Sequence, residues 1–192
     1  MLTKRPTALL LIWLAAFVAA CGDNPPRPSS AGGPSPRGVT IDWENPIPLA
    51  QPVSSMDEAR PYLAFSPREP QGLGRPVRIL MTKPLAGQES GRVLAFLFDT
   101  AEYGRVIVIQ ELSQLTLQQY DDENQKLAAG NDRPGRVGSA EVTPIRGGLQ
   151  ALVTTSSDGA HSDIRWREGP VQLLIEGPNL DRSACITIAN GV

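Results

Sequence analysis

The sequence predicts an α+β fold: a curved antiparallel β-sheet of about six or seven strands, with two or three helices packed on one face. Seven short runs of β-branched, aromatic and aliphatic residues, separated by breaks that contain glycine, have the pattern of strands. These runs are residues 77–82, 93–98, 106–112, 140–146, 149–155, 162–168 and 171–176. The first three follow one another too closely for crossover helices, which predicts antiparallel pairing. Helical patterns before, between and after the runs complete the α+β order.

The composition excludes several classes of protein. The 192 residues suit one domain with an appendage, and the 18 prolines disfavour an all-helical bundle because proline does not fit a helix interior. The net charge of −2 supplies no basic excess, so we expect no nucleic-acid partner. One histidine and two cysteines are too few ligands for a zinc site, and we expect neither a metal nor a cofactor.

The N-terminus predicts a secretory signal. Lys4 and Arg5 provide its positive start, and an uninterrupted apolar run, residues 8–20, follows them. This run is shorter than the roughly 20 residues that a membrane-spanning helix needs. It is therefore interpreted as the hydrophobic region of a cleaved signal peptide, residues 1–20.

The end of that signal predicts a lipidation site. Val18, Ala19, Ala20 and Cys21 resemble the lipobox of bacterial lipoproteins, in which small residues suit the signal peptidase and the cysteine thiol carries diacylglycerol. Palmitate labelling and attachment to the extracytoplasmic face of the cell membrane are expected, because two or three acyl chains hold a protein stably. The alternative is an ordinary cleaved signal peptide with a chance cysteine at its end.

A tether and an arm are expected to precede the domain. Residues 21–38 hold the lipidated cysteine and a stretch rich in proline, glycine and serine, which cannot build a core and predicts a disordered tether. Residues 39–53 contain short apolar pieces broken by prolines, which indicate an extended arm or one edge strand. Residues 54–192 are then the single α+β domain.

Three helices are predicted within the domain. Ser55 as N-cap and Glu58 three residues later form a capping-box pattern, and Pro61 restricts that helix to a short or kinked one. Residues 116–129 place Leu117, Tyr120 and Leu127 near one helical face. The last helix spans residues 181–189, with Asn179 or Asp181 as its cap.

Several short motifs carry a family resemblance. They are the Asp57-Glu58-Ala59 helix start, Phe65 before the loop Pro67-Arg68-Glu69-Pro70-Gln71-Gly72, the strand that ends near Gln110, the hairpin around Trp166 and Gly169, and the closing Ile188-Ala189. Together they resemble an uncharacterised extracytoplasmic domain family, found in bacterial lipoproteins, sporulation and germination proteins, and anti-sigma-factor ectodomains. The resemblance implies a fold and an extracytoplasmic location but no catalytic residues. More distantly, the pattern is similar to the curved sheets of envelope carriers of lipids and lipoproteins.

No catalytic motif emerges from the sequence. His161 lies in a turn between two predicted strands. The chain contains the residue types of a catalytic triad, His161 with Asp158 or Asp163 and a serine, but no motif joins them. A solvated turn histidine is therefore favoured. Asp121-Asp122-Glu123 lacks the alternation of a calcium loop and indicates a solvated helix face.

Two further residues are interpreted as structural. Trp166 alternates with two arginines along its strand, so it should face the core while the arginines face solvent. If Cys21 carries lipid, Cys185 has no disulfide partner left, and its small, apolar neighbours predict a buried side chain.

These observations predict a lipid-anchored, non-enzymatic module that binds an envelope protein or senses the envelope. The alternative is a carrier that holds an acyl chain in a curved sheet, because strand 93–98 is apolar on both faces and needs cover on each. A hydrolase acting on the cell wall is the least favoured hypothesis.

Overall fold

The structure is a computed structural model, and it describes residues 42–43, 45–82, 91–129 and 138–192. All of them belong to one compact unit, Pro36–Val192. The described strands are β1 (Ala50–Val53), β2 (Arg78–Thr82), β3 (Val93–Thr100), β4 (Gly104–Leu112), β5 (Ser139–Pro144), β6 (Gln150–Thr155), β7 (Ser162–Glu168) and β8 (Val171–Glu176). The described helices are α1 (Met56–Ala59), α2 (Leu117–Ala128) and α3 (Arg182–Gly191), with 3-10 turns at Arg60–Tyr62 and Arg146–Gly148.

The eight strands form one open sheet in the order β1-β2-β3-β4-β8-β7-β6-β5, and every neighbouring pair is antiparallel. The predicted α+β fold with a curved antiparallel sheet is confirmed, with eight strands instead of six or seven. The additional strand is β1, which pairs with β2 through Val53 and Ile79. The sheet therefore reaches into residues 39–53, the segment that the sequence assigned to the arm. Pro52 is compatible with this position, because proline is tolerated on an edge strand.

One face of the sheet carries the main core. Alternate residues of the central strands, such as Phe96 of β3 and Trp166 of β7, are fully buried there. The same cluster contains Ala59 of α1 and Ile188 of α3. Two of the predicted helices therefore pack on this face.

The opposite face has a smaller core beneath the arm. Ala95 and Leu97 of β3 are buried there with Ile47, and Trp43 packs against this second cluster. Residues of the protein itself therefore cover both faces of β3. This arrangement accounts for the doubly apolar pattern of residues 93–98.

Helix α2 packs on that second face and not beside the other two helices. Its Asn124 accepts a hydrogen bond of 2.8 Å from Nη2 of Arg165 in β7, and the Arg165 guanidinium lies 5.9 Å from the centre of the Tyr120 ring. Arg165 is half-buried and needs an acceptor and a polarisable surface, which α2 supplies. The expected solvated position of Arg165 is therefore wrong, and Leu117, predicted on the apolar side of α2, is instead 59% exposed.

The helix starts follow the predicted capping chemistry. The Ser55 hydroxyl accepts a hydrogen bond from the Glu58 backbone N–H at 3.2 Å, but the Glu58 carboxylate accepts from the N–H of Ser54 and not from that of Ser55, so the predicted capping box is only half formed. Of the two candidate caps of α3, Asp181 accepts a hydrogen bond from the N–H of Ala184 at 2.7 Å. Helix α2 begins with a reciprocal box between Thr116 and Gln119. Helix α1 spans only four residues before the turn that contains Pro61, which agrees with the predicted short helix.

The signal peptide, the lipobox residues Val18, Ala19, Ala20 and Cys21, and the tether all lie outside the described residues. Among the helices that the structure describes, none combines the length and apolar character needed to span a membrane.

Candidate functional site

A cleft of about 290 Å³ lies between the loop that begins at Ala64 and the β7–β8 hairpin. Phe65 from the loop and Val171 and Leu173 from β8 give it apolar walls. Arg68 and Glu168 are the charged residues that line this cleft. Apolar walls with a few convergent polar groups are the usual make-up of a binding site.

Gln110 fixes the loop wall of the cleft. Its side chain is 1% exposed and lies on the core face of β4. Its Oε1 accepts a hydrogen bond from the backbone N–H of Arg68 at 2.9 Å, and its Nε2 donates to the carbonyl of Arg68 at 2.5 Å. The amide thus satisfies both backbone groups of one loop residue, as a neighbouring strand would, and holds that residue against the sheet.

Glu168 joins three parts of the chain at the cleft. Its Oε1 accepts hydrogen bonds from Trp166 Nε1 at 2.9 Å and from Arg146 Nη2 at 2.6 Å, and its Oε2 pairs with Arg68 Nη1. The Glu168 side chain is only 12% exposed. One carboxylate therefore binds two guanidinium groups, which leaves one positive charge in excess among these three side chains.

The electrostatic surroundings keep Glu168 ionised. Burial alone would raise the pKa of Glu168, but the hydrogen bonds from Trp166 and Arg146 and the positive charges of Arg146 and Arg68 outweigh it and lower that pKa. A carboxylate whose oxygens already accept from three donors is a weak proton acceptor. Its arrangement suits a fixed binding wall better than acid–base chemistry.

The hairpin turn sets the position of Glu168. Glu168 pairs with Val171, which leaves Gly169 and Pro170 as a two-residue loop. Gly169 has a φ of 58°, and tight hairpin turns need such positive values. Trp166 and Glu168 are two residues apart on one strand, so they point to the same face and their side chains can meet.

The structure does not bring the residues of the hypothetical triad together through their side chains. The Ser156 hydroxyl donates to Asp158 Oδ1 at 2.5 Å, whereas His161 contacts Ser156 through its backbone N–H and carbonyl. Asp163 accepts a hydrogen bond from Thr154 Oγ1 at 2.5 Å, a contact with the neighbouring strand β6.

The other residues singled out from the sequence lie either in the core or on the exposed side of α2. Trp166 is fully buried in the main core. Cys185 is also buried, its Sγ lies 3.3 Å from the carbonyl of Ser162, and desolvation together with two nearby carboxylates raises its pKa to about 12. Asp121, Asp122 and Glu123 are exposed on α2, and the described residues contain no group of three or more side chains placed to hold a metal ion.

The sequence analysis identified the parts of the cleft separately and missed their convergence. The loop, Gln110 and the Trp166 hairpin each carried the family resemblance, but neither Arg68 nor Arg146 was linked to Glu168. One signal was present: alternation places Glu168 on the inward face with Trp166, and an inward carboxylate requires partners.

No protein-family model, curated protein or solved structure matches the chain, so the family resemblance stays a prediction.

Proposed function

We propose that the chain is a lipid-anchored extracytoplasmic protein whose α+β domain binds a partner protein through the cleft beside Glu168, without catalysing a reaction. The observation that carries the proposal is the preorganised cleft itself. Its loop wall is fixed by Gln110, its hairpin wall is tied by Glu168, and Phe65 and Leu173 provide an apolar surface between them. Preorganised walls favour binding because less side-chain freedom is lost on association.

The geometry supports binding over catalysis. Glu168 is occupied by Trp166, Arg146 and Arg68, and Gln110 uses its amide oxygen and nitrogen on the loop. Proton transfer needs a group whose pKa lies near the working pH and which can reach a substrate. Glu168, with its lowered pKa, does not fit that role.

The proposed anchor predicts that Cys21→Ala abolishes palmitate labelling and moves the protein from the membrane fraction to the soluble extracytoplasmic fraction. The reason is that only the Cys21 thiol of the lipobox can take the lipid. The proposal includes no other part of the protein that attaches it to the membrane. Radiolabelled palmitate and cell fractionation measure both effects, and Cys185→Ala is the matched control that should leave them unchanged. Unaltered labelling of the Cys21→Ala variant would refute the anchor.

The proposed binding role predicts a specific photo-crosslink from Ser66. This residue is exposed and lines the cleft, so a photoreactive amino acid placed there should crosslink one reproducible protein in intact membranes. The same amino acid at Gln51, an exposed residue of edge strand β1, is the control. A pattern at Ser66 that is no different from the pattern at Gln51 would contradict binding at the cleft.

The carrier alternative has less support. It depended on a strand that needs cover on both faces, and Trp43 and Ile47 supply that cover on the second face. The cleft volume of about 290 Å³ also lies just below the roughly 300–1,000 Å³ typical of small-molecule sites. A peptide side chain suits this volume better than a whole lipid.

A further inference from the structure

We propose that the cleft recognises an extended peptide segment in which an apolar side chain stands next to an acidic one. This inference rests on the proposed function and gives the partner a chemical identity. The apolar side chain would lie against Phe65, Val171 and Leu173, and the carboxylate would pair with Arg68.

Arg68 is the residue that can bind the acidic group. Its side chain is 55% exposed, and its ion pair with Glu168 is made through Nη1. The other guanidinium nitrogens have no acceptor among the described residues, so they can donate to an incoming carboxylate. Arginine favours this role because its planar fork matches carboxylate geometry.

The charge balance of the cleft selects an anion over a cation. Arg68 and Glu168 are the charged residues that line the cleft, and Arg146, which does not line it, pairs with Glu168 and adds a second positive charge. The three groups together therefore carry one net positive charge. A second carboxylate at Arg68 would neutralise the remaining charge. A lysine or arginine of a ligand would instead meet unbalanced positive charge and be disfavoured.

The size of the cleft limits the apolar part of the ligand. A volume of about 290 Å³ accommodates one large side chain with its backbone. The backbone of Arg68 is already occupied by Gln110, so specificity is expected to come from side chains, the apolar one for affinity and the acidic one for selection.

The test uses the full-length lipidated protein in lipid nanodiscs and the capped tetrapeptide Gly-Phe-Asp-Gly. Binding is followed by the NMR signal of the Trp166 indole N–H, which donates to Glu168 and so reports on the cleft. Saturable binding is expected, and replacing the peptide Asp by Asn or its Phe by Ser should each weaken it about tenfold, the value of one charge-assisted hydrogen bond or one buried apolar side chain. Equal affinity for the Asp and Asn peptides would overturn the proposal.

Arg68→Gln should remove the preference for Asp over Asn, whereas Arg75→Gln, a change of another exposed arginine in the same loop region, should retain it. If Arg68→Gln does not fold, Arg68→Lys is used in its place. Lysine keeps the positive charge but lacks the planar guanidinium fork, so the preference for the Asp peptide over the Asn peptide should fall by a few-fold. An unchanged preference in the folded Arg68 variant would overturn the role of this residue.

Decanoate that binds more tightly than the Asp peptide and displaces it would overturn the peptide assignment in favour of a fatty acid.

The two levels of the proposal can fail separately. A reproducible crosslink from Ser66, combined with equal binding of the Asp and Asn peptides, would overturn the acidic–apolar ligand and leave partner binding supported. Selective peptide binding without a crosslink from Ser66 in membranes would support the chemistry of the cleft and overturn its proposed use with a membrane-associated or neighbouring protein.

Discussion

Glu176→Gln is expected to stabilise the folded domain at pH 8 by as much as about 3 kcal/mol and to leave its stability at pH 4 nearly unchanged. Glu176 ends β8, and desolvation by burial, reinforced by the nearby charge of Asp163, raises its pKa from 4.5 to about 7. Glutamine has a similar shape but no charge to bury. The variant therefore removes a cost that the native glutamate carries only when it is ionised.

The sign follows from proton linkage. The folded state holds the Glu176 proton up to about pH 7, whereas the unfolded chain releases it near pH 4.5. Between these two values the unfolded state binds fewer protons, so the free energy of unfolding falls as the pH rises. Above pH 7 the ionised Glu176 lowers the free energy of unfolding by its full amount. Below pH 4.5 Glu176 is protonated in both the folded and the unfolded state, and it no longer changes the free energy of unfolding.

Urea unfolding of the wild type and the Glu176→Gln variant at pH 4, 6 and 8 measures this dependence. Glu123→Gln, which removes one acidic charge from the exposed side of α2, controls for the change in net charge. Asp163→Asn should reduce the slope in part, because its charge is the smaller of the two causes. A stability difference that does not change with pH would contradict the assignment.

The fold could be predicted because local patterns decided most of it. The alternation and β-branching of residues 162–168 and 171–176 specified strands, and the turn at Gly169 specified their hairpin. The start of α1 was readable from Ser55, and that of α3 was narrowed to Asn179 or Asp181, since capping needs only residues close in sequence. The apolar spacing of α2 identified Tyr120, which is buried, but it did not identify Asn124, which is also buried. The face on which α2 packs was not readable, because both residues meet one arginine, Arg165, of a distant strand.

The cleft could be predicted only in pieces. Gln110, the loop after Phe65 and the Trp166 hairpin were each recognisable as motifs, but their contacts depend on how β4, β7 and β8 align. Arg68 and Glu168 are far apart in the chain, and their ion pair follows from this tertiary arrangement. Nothing in the local sequence of Arg146 distinguishes it from the other scattered arginines. Long-range charge pairing therefore required the structure.

Glu168→Gln is expected to destabilise the domain at pH 7 by about 2–4 kcal/mol, mainly because it leaves the Arg146 guanidinium at a poorly solvated site without its counter-charge. Arg68, whose side chain is 55% exposed, contributes less to this cost because water solvates it. The Glu168 side chain is 12% exposed and that of Arg146 26% exposed, so water replaces little of the lost interaction. Since the folded-state pKa of Glu168 is lowered, the native stabilisation is present above the unfolded pKa near 4.5 and is lost as the pH falls through the folded value. This dependence has the opposite sign to that of Glu176.

Glu141→Gln is the matched control, because Glu141 also pairs with an arginine, Arg182, but both side chains are about half exposed. Its cost is expected to stay below about 1 kcal/mol. Denaturant unfolding at neutral pH compares the two variants, and a double-mutant cycle with Arg146→Met isolates the coupling. If Glu168→Gln costs no more than Glu141→Gln, Glu168 does not tie the cleft together, and the fixed wall on which the binding proposals depend is lost with it.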